Sequence, residues 1–251
     1  MSLLALDAVT KSFGGVEAVA GLTLSAEAGK ITGLIGPNGA GKTTIVNLIT
    51  GMQKVTAGQI RLQGADITAL PPERIARAGI ARTFQNIRLL AEETVQDNVV
   101  IGLHRHERTS LLSNLLGLPA ARREGESLRR RAAALLGEFH MAAFANRPAG
   151  DLSYGHQRRL EMVRAIATEP QLLLLDEPVA GMNDVEAEEL GLIFRRVAER
   201  GVGVLLIEHN IRFVTALCDT LYVVDAGRVI AAGDPETVCN EPQVIAAYLG
   251  E

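Results

Sequence analysis

The sequence predicts an α/β fold: a mostly parallel core sheet, an antiparallel β part near the N-terminus, and a helical subdomain inserted between the two halves of the core. A glycine-rich loop joins an apolar strand, "ITGLI" at 31–35, to a helical stretch, "KTTIVNLIT" at 42–50. Continuous apolar runs return at 171–176, 202–207 and 220–225, alternating with helical patterns. Strands that are apolar throughout suit a parallel sheet covered on both faces, whereas half-exposed strands alternate. Residues 86–168 show helical periodicity and no convincing strand, so they read as an insertion into a split core.

Each element follows from local chemistry. Residues 3–9, 16–26 and 57–68 favour β structure and are separated by turns such as "FGG" and "LQG", which predicts a small antiparallel sheet. The helix beginning at Lys42 is closed by Gly51. A polar helix is expected from about Asp184 to Arg200, and another before the run at 220. The expected organisation is one domain over 1–251: residues 1–85 and 166–251 as the α/β core with its antiparallel part, and 86–165 as the helical subdomain.

Composition narrows the function classes. With 251 residues and 47% apolar content the chain buries a sizeable core, and a net charge of -4 argues against a surface devoted to nucleic acid. Any anion must therefore be met by a local site. Cys218 and Cys239 have neither CxxC spacing nor histidines in a metal-ligand pattern, which argues against a disulfide framework or a zinc site and fits a reducing compartment. "MSLLALDAVT" reads as a strand instead of a secretion signal, and no apolar run reaches the ~18 residues that span a bilayer. Between 104 and 131, Arg105, Arg108, Arg122, Arg123, Arg129, Arg130 and Arg131 outnumber Glu107, Glu124 and Glu126. This run, with His104 and His106, reads as a solvated helix face, with lipid head groups or a partner as the alternative.

The chemistry-bearing residues sit at strand ends. "GPNGAGKTT" fits GxxxxGK[ST] in its required setting, strand before and helix after. Gly36, Gly39 and Gly41, with Asn38 and Ala40 between them, let backbone N–H groups wrap a phosphate, and the helix start adds positive potential. Lys42 would reach the β- and γ-phosphates, and the Thr43 hydroxyl, beside Thr44, would ligate Mg²⁺. Asp176 ends the run "LLLLD" where it can join the magnesium shell, while Glu177 points elsewhere and can polarise water. His209 follows a third apolar run and Gln85 a short strand, so both should emerge at the same sheet edge. A second helix start, "LSYGHQRRLEMVRA" from Leu152, also has the small hydroxyl and the glycine that suit an anion.

Taken in order, "KSFGG", "GPNGAGKTT", "RTFQN", "LSYGHQ", "LLLLDEP", "AGMND" and "IEHN" resemble the ATP-binding subunit of ABC transporters, over essentially the whole chain. The resemblance implies an ABC-type P-loop ATPase that binds ATP and Mg²⁺. It implies that Phe13 stacks on adenine, that Gln85 senses Mg²⁺ and the attacking water, that Glu177 is the catalytic glutamate, and that His209 contacts the γ-phosphate. Ser153 and Gly155 match the signature sequence, which in this family faces the P-loop of a second cassette across an ATP sandwich.

"ARTFQNIRLL", "PVAGMND", "IEHNIRFV" and the C-terminal segment "DAGRVIAAGDPETVCNEPQVIAAYLG" are similar to the ATP-binding subunits of high-affinity branched-chain amino acid importers. Implied partners are a second cassette, the same chain or a related one, transmembrane permease subunits, and indirectly an extracytoplasmic solute-binding protein. The implied location is cytoplasmic, on the inner face of the membrane. Importers of urea or short amides and soluble non-transport ABC ATPases are the rival readings. Three positions depart from the family pattern. Tyr154 and His156 stand where Gly and Gln are most frequent, leaving His156 either a polar substitute or a titratable group near phosphate. Asn183 stands where many members have Asp.

Overall fold

The computed structural model describes residues 2–83, 87–104 and 118–249. Strands β1 (Ser2–Phe13) and β2 (Val16–Glu27) pair as an antiparallel hairpin, and β3 (Ile31–Ile35) follows in a different sheet. Strands β4 (Ala57–Leu62) and β5 (Ala65–Asp66) add to the other edge of β1, completing the antiparallel sheet expected from the N-terminal stretches, in the order β2-β1-β4-β5.

The core sheet contains β3, β6 (Ile80–Arg82), β7 (Leu172–Asp176), β8 (Gly203–Ile207), β9 (Thr220–Asp225) and β10 (Arg228–Gly233) in the order β10-β9-β3-β8-β7-β6. Its pairs are parallel except β9 with β10. Every residue of β3, β7 and β8 is buried, the pattern expected where helices cover both faces. One apolar core joins Leu34, Leu174 and Leu205 of this sheet to Leu4, Leu22 and Ile60 of the antiparallel one. The carboxyl ends of β3, β7 and β8 lie side by side, where open α/β sheets bind ligands.

The described residues form two compact units, one up to Arg82 and again from Gln171, the other over Thr83–Pro170. The first also contains helices α1 (Lys42–Ile49) and α2 (Pro72–Ala78). In the second, α3 (Val95–Leu103), α4 (Pro119–Glu138) and α5 (Tyr154–Ala167) pack on one another. The buried Asn98 amide accepts from the Leu90 N–H at 3.0 Å and donates to the carbonyls of Leu90 and Thr94, both at 3.0 Å. This pins residues 90–94 to α3 through a buried amide whose own polar atoms are thereby satisfied. The first unit resumes after β7 with α6 (Asp184–Glu199), α7 (Ile211–Leu217), α8 (Pro235–Cys239) and α9 (Pro242–Leu249). Among the described residues no helix is long and apolar enough to cross a membrane.

Candidate nucleotide-binding and hydrolytic site

The loop from Gly36 to Gly41 leaves β3 and enters α1 directly, so its backbone N–H groups gather at a helix N-terminus. A Cβ on Gly36 would lie 2.0 Å from the Val224 carbonyl oxygen, so only glycine lets the loop pass this close to β9. Gly39 differs. It has φ +80° and no atom within 4 Å of where a Cβ would stand, so the loop presents bare backbone to open space. Lys42 Nζ donates to the carbonyls of Gly36 and of Pro37, the latter at 2.8 Å, and so is held back across the loop it follows. A cradle of backbone donors with an ammonium at its side suits a polyphosphate.

Asp176 ends β7 nearly buried and pairs with Arg82 at 3.0 Å. Arg82, at the end of β6, also donates to the Asn47 side chain on α1 at 2.7 Å. The guanidinium therefore joins β6, β7 and α1 and compensates a carboxylate that would be costly to bury alone. A lone arginine at a short strand's end carries no motif, so nothing in the sequence marks Arg82. Among the described residues no three His, Cys, Asp or Glu side chains cluster as a metal site. A hydroxyl at Thr43 and a carboxylate at Asp176 are nevertheless the hard oxygen donors Mg²⁺ accepts, the remaining positions falling to phosphate and water.

Glu177 occupies the left-handed region at φ +48°, uncommon for a residue with a side chain, and its N–H donates to Ile207 O at 2.9 Å. Such a conformation persists where the surroundings fix it. It turns the chain sharply after Asp176, so the two neighbouring acids face different surroundings: Asp176 meets Arg82, and Glu177 Oε1 lies 3.7 Å from His209 Nδ1. Glu177 is 25% exposed and His209 62%. The structure thus brings a carboxylate and an imidazole together at the edge expected from the sequence. Phe13, at the end of β1, is 46% exposed, with Lys11 Nζ 4.8 Å from the ring centroid, so its face is on the surface and not in the core. Gln85 lies outside the described residues.

Ser153 is the N-cap of α5, yet its side chain makes no capping bond to the helix amides. Its Oγ instead lies 2.7 Å from Nδ1 of His156, and the Phe144 ring packs at 4.5 Å, tilted 51°, on that imidazole. His156 is thus bonded to the hydroxyl that opens α5. Behind it, Arg158 is buried with Glu161 at 3.4 Å and donates to the Tyr154 hydroxyl at 3.2 Å. Glu161 accepts from the Arg88 N–H at 3.4 Å, which ties the signature helix to the segment after Gln85.

Asn183 has a local use for its amide. Its Oδ1 accepts from the Glu186 N–H at 3.0 Å and its own N–H donates to the Glu186 carboxylate at 3.1 Å, a reciprocal box that caps α6. Asn183→Ala is expected to lower the unfolding free energy by about 1 kcal/mol. A urea titration with an unchanged midpoint would remove the cap from the account.

The match of fold and loop to one family is direct. A family model described as ABC transporter matches residues 19–180, and one described as Branched-chain amino acid ATP-binding cassette transporter matches 228–251. A nucleotide-free ATP-binding cassette from an ABC transporter superposes with a TM-score of 0.86, and the ADP conformation of the cassette MJ1267 with 0.87. Each is 33% identical, covering 100% of both chains. The chain belongs to the ABC transporter family and is one of its ATP-binding, ATP-hydrolysing cassettes. Within the family it is 45% identical to the high-affinity branched-chain amino acid transport ATP-binding protein BraF of Pseudomonas aeruginosa. It is 44% identical to the protein of the same description, LivG, from Escherichia coli K12. Both alignments cover 99% of this chain and 98% of the relative.

Proposed function

We propose that this cassette powers an importer of branched-chain amino acids from the inner face of the cell membrane. The near full-length likeness to BraF and LivG carries the reading, supported by the match over 228–251. ATP is the substrate. Its phosphates would lie on the loop Gly36–Thr44, with Lys42 countering the β- and γ-charges and Phe13 stacking on adenine. Mg²⁺ would be held by Thr43 and Asp176 with Gln85, and when bound it would neutralise charge on the β- and γ-oxygens. Glu177 accepts the proton of the attacking water, and His209 contacts the γ-phosphate from the neighbouring strand end.

Ser153 and Gly155 serve a second ATP, held by the loop of a partner cassette that is either this chain or a related one. ATP then joins the two cassettes, and its hydrolysis releases them. The segment after Gln85, fixed on α3 by Asn98, receives a cytoplasmic helix of a permease subunit, while a solute-binding protein outside the membrane selects the cargo. Transport follows if the permease has different affinities for the joined and separated cassettes. Removal of the chain from its native cells is expected to abolish ATP-dependent leucine uptake, restored by the wild-type chain and not by Glu177→Gln. Leucine uptake that persists while urea or short-amide uptake disappears would overturn the assigned cargo.

A further inference from the structure

Glu208 precedes His209 at the end of β8 and is 1% exposed. Its two carboxyl oxygens serve two different loops. The Val179 N–H, two residues beyond Glu177, donates to Oε1 at 3.2 Å, and the His209 N–H donates to Oε2 at 3.2 Å. That same Oε2 lies 3.9 Å from His209 Nδ1, the ring nitrogen that Glu177 Oε1 approaches to 3.7 Å. One edge of the imidazole therefore faces two carboxyl groups, from the turn after β7 and from the end of β8. Cys218 also lies near Glu208, and burial pushes its thiol up to about 12, leaving it neutral.

A carboxyl is a costly group to bury here. Desolvation pushes the Glu208 carboxyl up, and the N–H groups of Val179 and His209, the imidazole and the Asn210 N–H pull it back only in part. An apolar or hydroxyl side chain of similar size could fill the space without that cost, but could not accept from both backbones. The site thus contains a buried acid that neither loads the P-loop nor attacks water.

We propose that Glu208 is a positioning residue of the hydrolytic site. Its carboxylate fixes the backbone beside Glu177 and at His209, and so sets where the general base and the imidazole stand relative to the γ-phosphate. The inference rests on the hydrolytic site proposed above and deepens it. The physical basis is that one buried acceptor bonded to two backbone N–H groups holds both segments in a single arrangement. Glu177 and His209 sit on separate loops, and Glu208 is a group bonded to both.

The test compares full-length wild type, Glu208→Gln, Glu208→Asp and Glu177→Gln in steady-state ATP hydrolysis, equilibrium ATP binding and thermal unfolding. Glu208→Gln keeps the shape, loses the charge and puts a donor where an acceptor is needed. It is expected to lower kcat at least tenfold, with KM and the ATP Kd within twofold of wild type and a cooperative unfolding transition retained. Glu208→Asp keeps the charge on a stem too short for both N–H groups, and is expected to lower kcat about fivefold. A kcat within twofold of wild type in Glu208→Gln overturns the proposal. So does a loss of kcat matched by an equal loss of ATP affinity, which would mark general collapse of the site. Should Glu208→Gln fail to fold, Glu208→Asp decides by the same limits. Wild-type turnover in Glu177→Gln would instead sink the hydrolytic site itself; an inactive Glu177→Gln beside a fully active Glu208→Gln sinks only the role of Glu208.

Discussion

Glu177→Gln is expected to lower ATP turnover by about 10²- to 10⁴-fold, the range a positioned general base contributes, while ATP binding at the loop Gly36–Thr44 stays within about twofold. The amide is isosteric and leaves the turn after β7 intact, including the N–H donated to Ile207 O at 2.9 Å. What it removes is the capacity to take a proton. Loss of an interaction made only as the water attacks lowers kcat without weakening the ground-state complex. If ATP joins two cassettes, the variant should also prolong the ATP-bound dimer, visible as a dimer peak in size-exclusion chromatography with ATP present. Turnover near wild type would remove Glu177 as the base and leave His209 as the group to test next.

Legibility in the sequence followed the reach of each physical signal. β3, β7 and β8 were readable because all five residues of each are buried, and a strand buried on both faces must be written in apolar residues. The loop between β3 and α1 was readable because its glycines stand at fixed spacing between strand and helix and answer to local backbone demands, such as the φ of +80° at Gly39. β10 was not foreseen. It is an antiparallel edge strand with mixed burial between Gly227 and Gly233, so neither apolar continuity nor clean alternation marks it.

The polar residues that organise the site were the least legible, because their meaning is tertiary. Arg82 and Glu208 look like ordinary strand-end charges until Asp176, Asn47 and Val179 are brought against them. Arg158 and Glu161 have the i, i+3 spacing of a surface pair, yet they are 1% and 3% exposed and lead to the backbone of Arg88. His156 was open between two uses, and the structure places it on the serine hydroxyl. In each case sequence order could name the residue, and only the fold supplied its partner.

Ser153→Arg is expected to abolish ATP-dependent dimerisation while leaving ATP binding to the single chain within about threefold, and to lower turnover with the dimer. The helix start at Ser153 would meet an anion with a hydroxyl, the glycine at 155 and the positive end of α5. Ser153 Oγ lies 2.7 Å from His156 Nδ1; when that nitrogen carries the proton, the serine's own O–H would be left to donate outward to a phosphate oxygen. Arginine supplies positive charge but is far longer, and it fills the space in which a partner's γ-phosphate must approach the backbone. The steric effect should therefore exceed any electrostatic gain. Ser153→Ala separates the two: it removes the hydroxyl without adding bulk and should weaken dimerisation by about tenfold, the range of one charge-assisted hydrogen bond. Sedimentation of both variants with ATP, alongside nucleotide binding at concentrations where the chain is monomeric, reads the two effects independently. If Ser153→Arg loses monomeric ATP binding instead, the signature serves the ATP of its own chain, and the cross-cassette arrangement is wrong.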